Sequence, residues 1–131
     1  MSWYKKSINK PKANIAKKDI IVYKSLTKIS NKSYDSIYYW HRYVINKLQP
    51  RVNINVDLVR NEKLSLISLN TYMISAGYHS YRKLTKKIRN SFFLFISNEV
   101  IVKCIIPAGT IYYVSDNEIV SETIKVIEEV I

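Results

Sequence analysis

Residues 103–128 read K-C-I-I-P-A-G-T-I-Y-Y-V-S-D-N-E-I-V-S-E-T-I-K-V-I-E. β-Branched and aromatic residues, which favour strands, stand on both sides of Pro107-Ala108-Gly109. Because proline fixes φ and glycine can adopt a positive φ, this tripeptide predicts a tight turn. A second tight loop is predicted at 115–118, with strand-like sequence before and after it. The block therefore predicts successive antiparallel strands.

A short helix is predicted over residues 81–90. The Ser80 hydroxyl can accept a backbone N–H of the first helical turn. Tyr81, Leu84 and Ile88 follow at spacings of three and four residues, which form one apolar helix face. The remaining face is basic and carries Arg82, Lys83, Lys86, Lys87 and Arg89. A helix of this kind packed on an antiparallel sheet predicts an α+β fold.

Two further strands are predicted earlier in the chain. Residues 19–26 form an apolar run that is typical of a buried strand. Residues 52–58 alternate strictly between apolar and polar side chains. The apolar set of this second strand is expected to face a core and comprises Val52, Ile54, Val56 and Leu58.

The chain length and composition predict one domain over residues 19–131, preceded by an arm over residues 1–18. A chain of 131 residues with a hydrophobic fraction of 47% can bury a substantial core. Residues 1–18 show no apolar period and contain Pro11, so we expect an extended segment that orders on a partner.

Basic residues dominate the charge, which is +11 at pH 7. The arm contains no acidic residue, and basic clusters of this kind are typical of nucleic-acid or other polyanion binding. Trp3 and Tyr4 could add base stacking beside the lysines. The alternative is a solvated tail without a ligand. The candidate polyanion-binding residues are Lys5, Lys6, Lys10, Lys12, Lys17 and Lys18 in the arm, together with the five basic residues of the predicted helix.

Several chemistries are disfavoured by composition. Cys104 is the only cysteine and has no intramolecular disulfide partner, which favours a reducing compartment. Two histidines and one cysteine without short spacing do not form a zinc motif, and two glycines cannot build a phosphate loop. No apolar run approaches the ~20 residues of a membrane span. We therefore expect no metal, no cofactor and no membrane contact.

The chain resembles a group of small bacteriophage and gut-bacterial mobile-element proteins without an assigned activity. The resemblance is carried by G-Y-H-S-Y at 77–81, C-I-I-P-A-G at 104–109, Y-Y at 112–113, Ser121 and the opening D-I-I-V-Y-K at 19–24. Ala108 departs from the lysine of that group, which removes one basic contact. The resemblance implies a phage origin, and hence a virion or the host cytoplasm as location.

A second resemblance is to ADP-ribosyltransferase folds, in which a strand often ends P-x-G-T before an aromatic strand. Residues 107–113 have this pattern. Such enzymes position nicotinamide with an arginine or histidine, an aromatic residue or serine, and a late glutamate. The resemblance implies that His79, Tyr112 and Glu122 are the candidate functional residues.

The leading hypothesis is a non-enzymatic phage protein that acts as a virion structural or accessory component. Its expected partners are other phage or host proteins, further copies of the same chain, and nucleic acid or another polyanion. The alternatives are a small ADP-ribosyltransferase-like enzyme, and a phage factor that binds nucleic acid or inhibits a host defence.

Overall fold

The computed structural model describes residues 3–36, 41–84 and 99–130, and within them the regular secondary structure consists of strands. The described strands, in chain order, are β1 (Trp3–Ser7), β2 (Asn14–Ile15), β3 (Ile20–Lys28), β4 (Ser33–Ser36), β5 (Arg42–Val44), β6 (Asn55–Leu64), β7 (Ile67–Ser75), β8 (Tyr78–Tyr81), β9 (Glu99–Ile106), β10 (Ile111–Ser115), β11 (Glu118–Ser121) and β12 (Lys125–Glu129). They form two sheets, in which all the pairs are antiparallel.

The larger sheet is built around the pairing of β3 with β9, which runs from Ile20 opposite Ile106 to Thr27 opposite Glu99. β-Branched residues fill this part of β9, where side chains on both faces are buried. The full strand order is β12-β9-β3-β8-β11-β10-β2, with β4 paired to β3 and β5 paired to β4. The larger sheet therefore has β12, the last described strand, at one edge and β2, from the first fifteen residues, at the other.

The smaller sheet has the order β1-β7-β6. A two-residue turn at Ser65 and Leu66 joins β6 to β7, and Ser65 adopts the left-handed conformation with φ 59°. β1 pairs with β7 over its whole length, from Trp3 opposite Ile74 to Ser7 opposite Asn70. Because strand side chains alternate, Trp3, Lys5 and Ser7 share one face of this sheet.

Two clusters of buried side chains form the core. The main core lies on one face of the larger sheet and contains Val22, Leu26, Tyr34, Tyr43, Tyr78, Val102, Cys104 and Ile124 among others. The second core consists of Trp3, Ile74 and Val120, with Ile54, Val56 and Tyr113 packed against them. Since Trp3 and Ile74 belong to the smaller sheet and Val120 to the larger one, the second core joins the two sheets.

The predicted α+β class is wrong, because the described residues contain no helix. Tyr81, expected in the first helical turn, ends β8, and Ser80, expected as the helix cap, is a buried strand residue opposite Ile119. Residues 82–84 follow β8 without helical structure, and residues 85–90 of the predicted helix lie outside the described part of the chain. Pairing of β8 with β11 thus overrides the local helical spacing.

The N-terminal segment, predicted as an extended arm that orders on a partner, pairs with strands of the same chain. Residues Trp3–Ser7 pair with β7, and Asn14–Ile15 pair with β10. Trp3 is only 6% exposed and Ala16 only 3% exposed. The burial of these two side chains explains why the segment is held in place despite its charge, since apolar burial contributes about 25 cal/mol per Å².

Other strand predictions are confirmed. The first predicted strand corresponds to β3, and the block at 103–128 contains the end of β9, then β10, β11 and β12, with Gly109 at φ 86° in the first turn. The alternating segment at 52–58 is displaced, because β6 begins at Asn55 and Leu58 is 57% exposed. Within the described ranges, no helix is long and apolar enough to cross a membrane.

Replacement of the two glycines by alanine is expected to have unequal effects. Gly77 has φ 80°, and a Cβ atom there would lie 2.7 Å from Cγ1 of Val120 and 3.1 Å from Cγ1 of Ile54. Gly109 has φ 86°, but its Cβ would meet nothing within 4 Å. We expect Gly109→Ala to lower the free energy of unfolding by about 1 kcal/mol through backbone strain alone. Gly77→Ala should cost about 1–3 kcal/mol more, because it also overpacks the second core.

Urea unfolding followed by tryptophan fluorescence measures both values. Equal losses for the two variants would contradict the close contact of Gly77 with Val120.

Candidate functional site

A basic cleft of about 320 Å³ lies between the N-terminal segment and β10. Its walls come from the end of β1, from the loop that leads to β2, from β2 itself and from β10. The side chains that define its chemistry are Lys5, Asn9, Lys10, Lys12, Asn14 and Tyr113. We call this set the basic cleft. Three of its members belong to the predicted polyanion-binding residues.

The lysines of the basic cleft lack acidic partners within the described residues. Lys6, the neighbour of Lys5 on the opposite face of β1, forms an ion pair of 3.2 Å with Glu62. Lys5, Lys10 and Lys12 form no such pair in the described part of the chain. Three positive charges around one concave surface favour an anionic ligand, because the ligand supplies the negative charge that no acidic side chain supplies there.

The other predicted basic residues lie elsewhere or outside the described ranges. Lys17 and Lys18 follow β2 and are exposed. Arg82 and Lys83 follow β8, where their backbone N–H groups donate to the main-chain oxygen and the side-chain oxygen of Asn117. Three predicted residues lie outside the described part of the chain, namely Lys86, Lys87 and Arg89.

The aromatic residues predicted to stack on bases have different roles. Trp3 is buried in the second core, and its ring is therefore unavailable to a ligand. Tyr4 is 61% exposed but lies on the face of β1 opposite to Lys5. The aromatic residue of the basic cleft is Tyr113, which the sequence analysis did not name as a ligand contact.

His79 forms a polar pair with Glu118. Its Nδ1 lies 2.9 Å from Oε1 of Glu118, on the neighbouring strand β11. Its Nε2 is buried and has no hydrogen-bond partner among the described residues. The hydrogen bond to Glu118 fixes the orientation of the imidazole ring. Among the described residues, Glu118 is the only acidic residue that His79 contacts.

Two of the three residues implied by the ADP-ribosyltransferase resemblance, Tyr112 and His79, lie on opposite faces of the larger sheet. Tyr112 and Tyr78 both pair with Ser121, so their side chains share one face of the larger sheet. His79, adjacent to Tyr78, lies on the other face. Glu122 accepts hydrogen bonds from Arg51 at 3.0 Å and from the backbone N–H of Ile111 at 2.8 Å. Through Glu122, these contacts connect the segment that precedes β6 with the first residue of β10.

Lys24 is a partly buried charged group beside the main core. Its Nζ donates a hydrogen bond to the backbone carbonyl of His79 and lies 5.6 Å from the ring centroid of Tyr43. β3 and β8 are paired only through Tyr23 and Tyr81. The hydrogen bond from the Lys24 ammonium group therefore adds a second link between these two strands. Burial lowers the pKa of Lys24 to about 8.

Cys104 is a fully buried residue of the main core, as the sequence indicated. Burial raises the pKa of its thiol, so the nucleophilic thiolate form is disfavoured. In the part of the chain that the structure describes, no three histidine, cysteine or acidic side chains gather into a metal site. The basic cleft is therefore the site with the clearest ligand chemistry.

The sequence missed Asn9, Asn14 and Tyr113 as members of the cleft. They come together because β2 pairs with β10, with Ile15 opposite Ile111. This pairing joins distant parts of the chain, so no local motif marks it. The one available signal was that Tyr112 and Tyr113 are adjacent in a predicted strand. Successive strand side chains point to opposite faces, so only one of the two tyrosines can face the main core.

Comparison of the chain with models of known protein families, with curated proteins and with solved structures finds no match.

Replacement of Lys24 by methionine is expected to change how stability depends on pH. The folded pKa of about 8 is below the ordinary lysine value of 10.5, so the unfolded chain binds more protons between these values. Wild-type stability therefore rises with pH in this window. Relative to Lys24→Met, the wild type should gain about 1 kcal/mol between about pH 7 and about pH 9.

Denaturant unfolding at several pH values measures this gain. The exposed Lys32 provides a control, because a Lys32→Met variant should parallel the wild type over the same pH range. A constant difference between wild type and Lys24→Met would argue against the buried ammonium.

Proposed function

We propose that this protein is a non-enzymatic binding protein that contacts a polyanion through the basic cleft. The observation that carries the proposal is the convergence of Lys5, Lys10 and Lys12 on one concave surface without acidic partners in the described residues. Cations in such an arrangement attract phosphate, sulfate or carboxylate groups, and association releases the counter-ions of the polyanion.

What distinguishes the cleft is that three lysines without an ion pair line one concave surface, because single lysines without an ion pair, such as Lys32 and Lys47, also occur elsewhere in the described residues. Several cations are neutralised by a partner, as Lys28 is by Glu129 at 3.0 Å and Arg42 is by Asp35 at 2.7 Å. Surface ion pairs of this kind contribute little to stability, typically about 0–1 kcal/mol, but they do remove charge from the surface field. The cleft lysines keep their full charge and so focus the field at one place.

The biological setting is proposed from the resemblance to phage and mobile-element proteins. The structure explains several of the shared residues by their architecture, since Gly77 has a positive φ at the crossing between the two sheets and residues 107–109 form a turn. These roles are compatible with any partner. We propose a virion or the host cytoplasm as the location and other phage or host proteins as further partners.

Removal of two cleft charges is expected to weaken polyanion binding. A Lys10→Gln/Lys12→Gln variant should bind labelled heparin on the order of tenfold more weakly than the wild type at about 50 mM salt. The slope of log K against log salt should also become shallower by about one to two, because two cationic contacts are lost. Fluorescence anisotropy over a salt series measures both quantities.

The matched control removes the same charge from another surface. Lys32 and Lys47 are exposed and lie away from the cleft, beside β4 and β5. A Lys32→Gln/Lys47→Gln variant should retain the wild-type salt slope. Equal losses in both double variants would show that net charge, and not the cleft, governs binding. If the wild type binds neither heparin nor a single-stranded oligonucleotide at about 50 mM salt, the proposed function is refuted.

A further inference from the structure

The basic cleft offers more than positive charge. Asn9 and Asn14 also line it, and an asparagine amide carries both donor and acceptor atoms. The Asn14 Nδ2 makes a weak 3.5 Å contact with the backbone oxygen of Lys12, which leaves its Oδ1 for another partner.

Tyr113 adds an aromatic wall. It packs against the second core and also lines the cleft, so the fold holds its ring in place beside the lysines. A ring that is already ordered loses little conformational entropy when a ligand contacts it. Aromatic rings of this kind stack on nucleic-acid bases, whose exposed faces are available in single strands.

The size of the cleft restricts what can enter. A volume of about 320 Å³ is at the small end of ligand pockets, which typically measure about 300–1,000 Å³. This space suits one nucleotide unit, with the base against Tyr113 and the phosphate near the lysines. The bases of a double helix are stacked and paired, so a duplex cannot present a base face to Tyr113 without opening.

Charge continues beyond the cleft along the N-terminal segment. Lys17 and Lys18 follow β2 directly, and both are exposed and without an ion pair in the described residues. A free nucleotide would end at the cleft, whereas a strand could place further phosphates near these two lysines. The extended basic track therefore favours a polymer over a single nucleotide.

From these observations we infer that the basic cleft binds one nucleotide unit of a single-stranded nucleic acid, with its base stacked on Tyr113 and its backbone held by Lys5, Lys10 and Lys12. This inference rests on the proposed function and names the ligand class. Asn9 contacts the edge of the base, and Lys17 and Lys18 contact the phosphates that follow.

The test compares two ligands with the same backbone charge. One is a labelled oligo(dT), and the other is an abasic oligonucleotide of equal length that carries the phosphates without bases. The wild type should bind oligo(dT) about tenfold more tightly than the abasic strand at about 50 mM salt, because base stacking adds to the phosphate contacts. Fluorescence anisotropy measures both affinities, and this comparison needs no variant.

A variant assigns the preference to the cleft. In Tyr113→Leu the ratio of the two affinities should fall from about ten to about one, since the stacking surface is lost. Tyr4→Leu is the matched control, because it removes an exposed tyrosine from the opposite face of β1. Thermal melting establishes that each variant is folded. If Tyr113→Leu does not fold, the wild-type comparison of the two strands decides.

Each outcome has a separate meaning. Equal wild-type affinity for oligo(dT) and the abasic strand overturns the nucleotide inference but leaves polyanion binding intact. A preference that persists in folded Tyr113→Leu overturns the placement of the base on Tyr113. If free dTMP competes with the oligonucleotide at a similar concentration of nucleotide units, the cleft binds a free nucleotide, and the proposal of a single-stranded ligand is overturned. Failure to bind both strands and heparin overturns the proposed function itself.

Discussion

The contact of Trp3 with Ile74 and Val120 joins the two sheets, and the geometry of the basic cleft follows from it. Ile74 lies opposite Trp3 on β7, and Val120 belongs to the larger sheet, so one indole ring holds both sheets and the start of the chain together. Loss of a buried tryptophan side chain typically costs about 3–5 kcal/mol. With Trp3 fixed, strand alternation directs Lys5 and Ser7 to the same face, where Tyr113 lies beside the second core. A basic segment thereby becomes one wall of a cleft, although its composition alone is typical of a free tail.

Sequence reasoning succeeded where turn chemistry and strand patterning agree. The turn at 107–109 and the strands around it could be predicted because proline, glycine and β-branched residues act locally. The start of the predicted helix is wrong. Tyr81, Leu84 and Ile88 have helical spacing, but Tyr78 and Ser80 have the two-residue spacing of a strand. Both patterns overlap at the same place, and the pairing of β8 with β11 decides between them. The local sequence does not contain that partner, so the ambiguity could be resolved only by tertiary structure.

The candidate site was predictable in its charge and not in its shape. The lysines were identified from their density, and the cleft does use three of them. Its aromatic member was not, because Trp3, the obvious choice beside Lys5, is needed for the core. Tyr113 reaches the cleft through the pairing of β2 with β10, which joins the beginning of the chain to its last third. A contact between such distant residues leaves no periodic trace in the sequence.

The cleft also makes ligand binding depend on the integrity of the fold. Lys5 and Ser7 come from the smaller sheet, while Asn14 and Tyr113 come from the larger one. A ligand that contacts both walls binds only when the two sheets are assembled, so its binding free energy adds to the stability of the folded state. The same ligand would bring negative charge to the surface that Lys5, Lys10 and Lys12 line, so charge attraction and sheet assembly would act together in binding.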